Sequence, residues 1–301
     1  MRPDLPSRVV IREVGPRDGL QSEEPLSIEA RVGFLDAVSR TGVSKIEAVS
    51  FVNPKAVPAM ADAAEVWARA AKASGVMYSA LVPNRIGAEA AVEAGGFASL
   101  QAFLAASDGY NRANVGKTVR DSVADVAEVV DVARQAAIPV EVSISAAFGD
   151  PYEGDVSPAR VVDVATQVVE AGAEGISLGD TTGMATPTRV WAVLDALRDA
   201  VPTVPINVHF HDTRGTAMAN VLAALQAGVT ELDASTGGIG GSPFAPGAGG
   251  NVATEDVVHM LADMGIETGV DLAAVIEASK LLEDLLGRPV SSRVSRAGPR
   301  R

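Results

Sequence analysis

Short runs rich in β-branched residues alternate eight times with longer, alanine-rich amphipathic runs along this chain. The runs that predict strands are 8–14, 45–50, 76–82, 99–105, 140–146, 175–178, 204–210 and 231–235. The runs that predict helices are 27–41, 59–73, 84–94, 117–136, 157–171, 186–200, 216–227 and 253–264. Because strands alternating with helices form parallel sheets, eight such units predict an α/β fold, the closed (β/α)8 TIM barrel.

The chain is predicted to be one domain, residues 1–301, because no low-complexity linker interrupts the alternation. Its 301 residues are close to the roughly 250 of a single barrel. The barrel core is expected at about 8–266. A C-terminal segment, 267–301, follows it, with one extra helix at about 271–287 and a basic tail ending at Arg301.

Charge and cysteine content exclude several classes of function. The formal net charge of −13 argues against a nucleic-acid or anionic-membrane partner, which would repel such a surface. The absence of cysteine rules out disulfides, thiolate zinc sites and thiol nucleophiles. No run of about 20 apolar residues occurs, and the first residues lack an apolar targeting segment. We therefore expect a cytoplasmic protein with a small-molecule substrate.

Polar and charged side chains gather where the predicted strands end. In chain order they are Arg17, Asp18, Glu47, Ser107, Asp108, Asp180, His209, His211 and Asn251. In this fold the C-terminal ends of the strands carry the binding and catalytic groups, whereas the opposite ends carry turns. The consistent use of one end predicts a functional site there.

Two of the three histidines, His209 and His211, are one residue apart in the seventh predicted strand. Side chains alternate faces along a strand, so both imidazoles can converge on one ion. Barrel closure would bring Asp18 and Asn251 to the same place, which gives a ligand set suited to Mg²⁺, Mn²⁺ or Co²⁺. The alternatives are solvated or hydrogen-bonded histidines, a turn role for Asp18 and a helix cap at Asn251.

Five motifs together resemble the 3-hydroxy-3-methylglutaryl-CoA lyase family. They are VGPRDGLQ at 14–21, IEAVSFVNPK at 46–55, SLGDTTG at 177–183, HFHDT at 209–213 and GNVATED at 250–256. The resemblance extends from about residue 8 to about 297 and covers nearly the whole chain. It implies a metal-dependent lyase that cleaves its acyl-CoA substrate into acetyl-CoA and acetoacetate by a retro-Claisen reaction.

The resemblance also implies a role for each matching residue. The metal ligands would be Asp18, His209, His211 and Asn251, and Arg17 would stabilise the developing enolate. Acid–base or positioning roles are implied for Glu47 and Asp180, whose plainer alternatives are a salt bridge to Arg17 and a turn or helix cap. The residues implied to support or bind the substrate and its CoA are Gln21, Lys55 and Ser107. The alternative for Lys55 is a solvated side chain.

This chain departs from the family pattern at two positions. In the loop GGIGGSPFA at 237–245, Ser242 stands where the family has a cysteine that protonates the acetyl-CoA enolate. A hydroxyl is a far weaker acid than a thiol with a pKa near 8.5, so the departure bears directly on turnover. In the stretch PVEV at 139–142 typical lyases carry an arginine near Glu141, and the change either alters carboxylate recognition or rearranges a salt bridge inside the barrel.

Three functional classes follow from these observations. The first is an acyl-CoA lyase, acting on 3-hydroxy-3-methylglutaryl-CoA or a relative with a longer 3-acyl branch. The second is a Claisen-condensing or pyruvate-releasing enzyme on the same barrel. The third is a CoA-ester-binding homologue that lost catalysis with the cysteine. A homodimer is expected for any of them, because many barrels of this size pair.

Overall fold

The computed structural model describes residues 5–241 and 249–300. Its strands are β1 (Val10–Glu13), β2 (Lys45–Ser50), β3 (Met77–Leu81), β4 (Ser99–Ala105), β5 (Val140–Ser145), β6 (Gly175–Asp180), β7 (Ile206–Phe210) and β8 (Glu231–Ala234). Its α-helices are α1 (Ile28–Ser39), α2 (Ala63–Arg69), α3 (Arg85–Ala94), α4 (Asp108–Val115), α5 (Val119–Gln135), α6 (Pro158–Glu170), α7 (Pro187–Ala200), α8 (Ala217–Gln226), α9 (Thr254–Asp263), α10 (Leu272–Leu286) and α11 (Arg293–Ala297).

The eight strands form a closed barrel in sequence order, and every neighbouring pair is parallel. Closure is made by β1 and β8, whose register runs from Val10 opposite Glu231 to Glu13 opposite Ala234. The predicted (β/α)8 barrel with an extra C-terminal helix is therefore confirmed.

Two α-helices in the described part of the chain were not predicted, and both are short. Helix α4 has the polar sequence DGYNRANV and no continuous apolar stripe, so the hydrophobic pattern does not reveal it. It begins because the Ser107 hydroxyl accepts a hydrogen bond from the backbone N–H of Tyr110 at 3.2 Å. Helix α11 lies within the segment predicted as a basic tail, and Ser292 caps it in the same way.

The apolar core lies between the barrel and its surrounding helices, with the outward-facing residues of the strands buried against helical valines, alanines and leucines. The barrel interior is polar instead. Side chains that point inward on the strands include Arg12, Gln101, Ser143, Ser177, Asn207 and Asp233. Branched aliphatic residues dominate these positions in most barrels of this type. The polar interior places charged groups directly beneath the site at the C-terminal end of the strands.

None of the described helices combines the length and the apolar character that crossing a bilayer requires.

Candidate active site

A cavity of about 720 Å³ opens at the C-terminal ends of the strands. Six of the residues predicted from the sequence line it, and they come from the first two and the seventh strand–helix units. They are Arg17, Asp18, Gln21, Glu47, His209 and His211. The site therefore lies at the end of the barrel where the pattern of polar residues predicted it.

His209, His211 and Asp18 form a cluster in which one ligand atom of each residue lies within 4.8 Å of the others. The two Nε2 atoms are 3.1 Å apart, and Asp18 Oδ2 lies 3.7 Å from His209 Nε2. Two imidazole nitrogens and a carboxylate oxygen that face one point are a donor set for a divalent cation. The residues present therefore fit such an ion.

Asn251 holds the carboxylate of this cluster. Its amide nitrogen donates to Asp18 Oδ2 at 2.8 Å and to the carbonyl oxygen of Ile239 at 2.9 Å. The alternative role as a helix cap is not observed, because α9 begins at Thr254 after an Ala253 N-cap. Asn251 thus lies beside the cluster, on the segment that follows β8.

Neighbouring groups and burial keep the Asp18 carboxylate ionised and the His211 imidazole neutral at neutral pH. Burial would raise the pKa of Asp18, but Arg17 and the two histidines outweigh it and lower the pKa to about 2. Burial and the neighbouring His209 lower the pKa of His211 to about 4. Both side chains therefore present free electron pairs toward the cluster near pH 7.

Arg17 projects into the cavity from a π-helical turn, Gly15–Gly19, which directly follows β1. Its guanidinium donates to Asp18 Oδ1 at 2.7 Å and to Glu47 Oε2 on β2. Among the described residues, Arg17 Nε and Glu47 Oε1 have no hydrogen-bond partner although both are buried. Buried polar atoms normally have a hydrogen-bond partner, so these two atoms are available to form hydrogen bonds with a bound molecule.

Asp180 lies at the end of β6, and its Oδ1 accepts hydrogen bonds from the backbone N–H groups of Met184 at 2.8 Å and Ala185 at 3.0 Å. Burial raises the pKa of Asp180 to about 7, although these two bonds oppose the shift. Its neighbours Gly179 and Thr181 line the cavity, whereas Asp180 itself lies behind the wall. The side chain therefore organises the β6 loop and titrates near neutral pH.

The structure places two further predicted residues outside the cavity wall. Ser107 is buried, caps α4 and donates to Asp150. Lys55 is exposed at the cavity rim, next to Ala56, which lines the opening. Ser242 lies outside the described residues.

The loop that carries Ser242 passes closely over the cluster at Gly240. This residue has a φ of +98°, and an added Cβ would lie 2.6 Å from Asn251 Nδ2 and 2.9 Å from the backbone oxygen of Asp18. Only glycine adopts this conformation without strain and permits so close an approach. Glycine at position 240 is thus explained by contact with residues of the cluster.

The GNVATED motif anchors the beginning of this loop. Thr254 donates to the buried carboxylate of Glu13, which also accepts from the backbone N–H of Thr236 at 2.8 Å. Glu255 accepts from the backbone N–H of Gly237 at 3.0 Å and from the hydroxyl of Ser279 on α10. These contacts tie β1, α9 and α10 to the first residues of the loop.

The buried carboxyl group of Glu255 is expected to make the free energy of unfolding depend on pH. Burial raises its pKa from about 4.5 to about 7, so the folded protein holds a proton that the unfolded chain releases in this range. The stabilisation is complete below about pH 4.5 and is lost as the pH rises through 7. Relative to Glu255→Gln, the wild type should therefore lose about 2–3 kcal/mol of unfolding free energy between pH 5 and pH 8.

Urea unfolding at the two pH values measures this difference, with Glu89→Gln as a control at an exposed glutamate paired with Arg85. Glu89→Gln should follow the wild type at both pH values. An identical pH dependence in wild type and Glu255→Gln would show that Glu255 stays ionised in the folded protein.

Sequence reasoning missed two charged residues beneath the cluster. Arg12 on β1 and Asp233 on β8 are buried in the barrel and line the cavity floor. Asp233 Oδ2 lies 3.0 Å from His209 Nδ1, and Arg12 binds Asp233 through two nitrogens. The available signal was a charged residue within each short strand, Arg12 in VIRE and Asp233 in ELDA.

Glu141, the second departure from the family pattern, forms an ion pair with Arg12. Glu141 Oε2 lies 2.5 Å from a terminal nitrogen of Arg12, so an ion pair crosses the barrel interior from β1 to β5. This arrangement agrees with the interpretation of Glu141 as part of a rearranged salt bridge.

The chain is similar to known proteins over nearly its whole length. A sequence profile of the HMGL-like family matches residues 8–282. The chain is 45% identical over 289 residues to a hydroxymethylglutaryl-CoA lyase of Bacillus subtilis, covering 96% of each protein. The chain belongs to the hydroxymethylglutaryl-CoA lyase family.

Solved structures of members of the hydroxymethylglutaryl-CoA lyase family have the same fold. A crystal structure of the Bacillus subtilis lyase has a TM-score of 0.93 at 44% identity and covers 97% of this chain and 98% of its own. A lyase from Acinetobacter baumannii, in complex with coenzyme A and 3-methylmalate, has a TM-score of 0.92 at 39% identity, covering 97% and 96%. The resemblance drawn from the motifs is thereby confirmed.

Proposed function

We propose that this chain is a divalent-metal-dependent carbon–carbon lyase. Its substrate is 3-hydroxy-3-methylglutaryl-CoA or a related ester with a longer 3-acyl branch, cleaved into acetyl-CoA and acetoacetate or a homologue. The observation that carries the proposal is the cluster of His209, His211 and Asp18 beside Arg17 in one cavity. The lyase names of relatives that match over nearly the full chain support it.

The proposed cation, Mg²⁺, Mn²⁺ or Co²⁺, would be held by Asp18, His209, His211 and Asn251. When bound, it supplies Lewis acidity that makes a substrate hydroxyl easier to deprotonate. The coenzyme A and 3-methylmalate in the Acinetobacter baumannii complex support a site that accepts a CoA group beside a hydroxy acid.

Arg17 is proposed to stabilise the negative charge that develops during cleavage. The proton of the C3 hydroxyl is removed, the C2–C3 bond breaks, and its electron pair passes into the thioester as the acetyl-CoA enolate. A planar, permanently charged guanidinium is suited to an enolate oxygen. Glu47 holds that guanidinium at its other face, so we assign Glu47 a positioning role.

Proton transfer is proposed for two further residues. Asp180 lies directly behind the cavity wall formed by Gly179 and Thr181 and has a pKa near 7, so it is proposed to accept the proton of the C3 hydroxyl through a water molecule. Ser242 aligns with the position of the family's acidic cysteine and would deliver, directly or through water, the proton that completes acetyl-CoA. Gln21 lines the cavity beside Asp18 and is proposed to support the ligands, Lys55 to face the CoA phosphates, and Ser107 to hold the cavity wall through α4.

The decisive experiment incubates the protein with 3-hydroxy-3-methylglutaryl-CoA and with longer-branched analogues, with Mn²⁺ or Mg²⁺ and after chelation. We expect acetyl-CoA and acetoacetate to appear in equal amounts and only with the metal. Release of pyruvate from a 4-hydroxy-2-oxo acid would favour the aldolase alternative. Binding of CoA esters without cleavage would favour the catalytically impaired homologue.

Ser242→Cys is expected to raise kcat of the proposed lyase reaction. A thiol has a pKa near 8.5 and donates a proton near neutral pH far more readily than an aliphatic hydroxyl. Serine and cysteine are similar in size, so the KM should change little. Steady-state kinetics measure both constants, with Ser242→Ala as the comparison. If Ser242→Ala is as fast as the wild type, the proton comes from another group.

The proposal also covers the domain organisation, the cellular compartment and the oligomeric state. We propose that the barrel and C-terminal segment act as one catalytic domain, that the protein is cytoplasmic, and that it forms a homodimer. Light scattering after size-exclusion chromatography would measure the mass of the assembly.

A further inference from the structure

We propose that Arg12 and Asp233 together orient His209 for metal binding, so that both are positioning residues of the active site. The inference rests on the proposed metal site. It concerns charged residues inside the barrel, below the ligands, for which the sequence motifs and the proposed chemistry give no role.

Asp233 lies between Arg12 and His209 because of the strand register. It is directly opposite Arg12 on β1 and directly opposite His209 on β7. Its Oδ2 lies 3.0 Å from His209 Nδ1, on the side of the ring that faces away from the cluster. Its Oδ1 accepts from Asn207 at 2.6 Å. Asp233 therefore connects the two neighbouring strands below the ligand.

This contact determines which nitrogen of His209 faces the ion. A neutral imidazole has one N–H, and a carboxylate at Nδ1 fixes the proton there. Nε2 then presents its electron pair toward His211 and Asp18, whose ligand atoms lie 3.1 and 3.7 Å away. Carboxylate partners of this kind orient histidine ligands in many metal proteins.

Arg12 orients the Asp233 carboxylate, and that carboxylate in turn orients the His209 ring. Its Nε donates to Asp233 Oδ1 at 2.7 Å and its second terminal nitrogen to Oδ2 at 3.1 Å. A two-point contact sets the plane of a carboxylate, which one hydrogen bond from Asn207 does not. The other terminal nitrogen is held across the barrel by Gln101 at 3.1 Å and Glu141 at 2.5 Å. Both Arg12 and Asp233 are at most 5% exposed, so water does not compete for these bonds.

From β1, Arg12 thus binds side chains on β4, β5 and β8, and among the described residues its hydrogen bonds reach the ligands through Asp233. Lysine at this position keeps the charge but cannot make the two-point contact. Asparagine at Asp233 keeps the size, but its amide can donate to Nδ1 and shift the ring proton to Nε2. Both changes should weaken metal binding without altering any ligand.

The experiment measures the dissociation constant of Mn²⁺ without substrate, from the electron paramagnetic resonance signal of free Mn²⁺. Asp233→Asn should weaken binding by roughly 10–100-fold, and Arg12→Lys by about 10-fold. Glu231→Gln is the matched control, because it removes a carboxylate of the same strand, β8, that pairs with Lys45 and does not contact the side chain of Arg12 or Asp233. It should bind Mn²⁺ within about 2-fold of the wild type, which is the size of an uncoupled change.

A double variant separates positioning from general damage. If Arg12 acts through Asp233, adding Arg12→Lys to Asp233→Asn should weaken binding no further. Thermal unfolding of each variant shows that the titrated protein is folded, and if Arg12→Lys does not fold, Asp233→Asn alone decides. Wild-type affinity in folded Asp233→Asn, or in folded Arg12→Lys, would overturn the inference. Failure of the wild type itself to bind Mn²⁺ would instead overturn the proposed metal site.

Discussion

His211→Ala is expected to lower kcat by roughly 10³-fold or more and to abolish tight Mn²⁺ binding. The cation contributes several kcal/mol of charge stabilisation, and each 1.4 kcal/mol corresponds to about a factor of ten in rate. The imidazole is buried on the cavity wall, and its Nε2 lies 3.1 Å from that of His209. Steady-state kinetics and a Mn²⁺ titration on the same preparation measure the two effects.

The control is His259→Ala, which removes the third histidine from a partly buried position on α9, away from the cluster. This variant should keep the wild-type kcat and metal affinity. If His211→Ala retains both values as well, the histidine pair is not a metal site, and the metal-dependent lyase proposal fails.

Arg17→Lys is expected to lower kcat by roughly 10²-fold or more while metal affinity changes little. Lysine keeps the positive charge beside Asp18 but loses the planar fork that contacts both Asp18 and Glu47. The loss should therefore affect the transition state more than the bound cation. Kinetics with saturating metal and a separate Mn²⁺ titration distinguish the two contributions.

A matched control is Arg69→Lys, an exposed arginine that pairs with Glu29 and Glu65. It should be indistinguishable from the wild type in both measurements. An unchanged kcat in Arg17→Lys would remove the guanidinium from the mechanism, and a large loss of metal affinity would reassign it to organising Asp18.

The barrel was predictable because its strand and helix patterns differ in period and repeat without interruption. The location of the site followed from the same pattern, since polar residues such as Asp180 and His209 come at strand ends, although Glu47 lies within β2. Barrel closure then brought Asp18 and Asn251, which are 233 positions apart, to a contact of 2.8 Å. That contact depends on the topology, which the alternation of elements already indicates.

Three aspects of the site could not be predicted from the sequence. The roles of Arg12 and Asp233 depend on which strand faces meet inside the barrel, and a charged residue in mid-strand can equally lie at a solvated edge. Ser107 caps α4, whose polar sequence gives no helical hydrophobic pattern. Its residues Tyr110 and Asn114 nevertheless line the opening of the cavity. Local sequence does not encode such packing between distant segments.

The contact between β1 and β8 has a consequence for the biosynthesis of this protein. Asp18 is synthesised 233 residues before Asn251, the last of the proposed ligands. A nascent chain therefore lacks the complete ligand set until Asn251 has been made, and a cation held by that set would bind only the closed barrel. Ligands that bind only the native state stabilise it in proportion to the logarithm of their concentration. The ion would hold the segment after β1 against the segments that end β7 and follow β8. A higher concentration of the metal would therefore protect the folded protein from degradation.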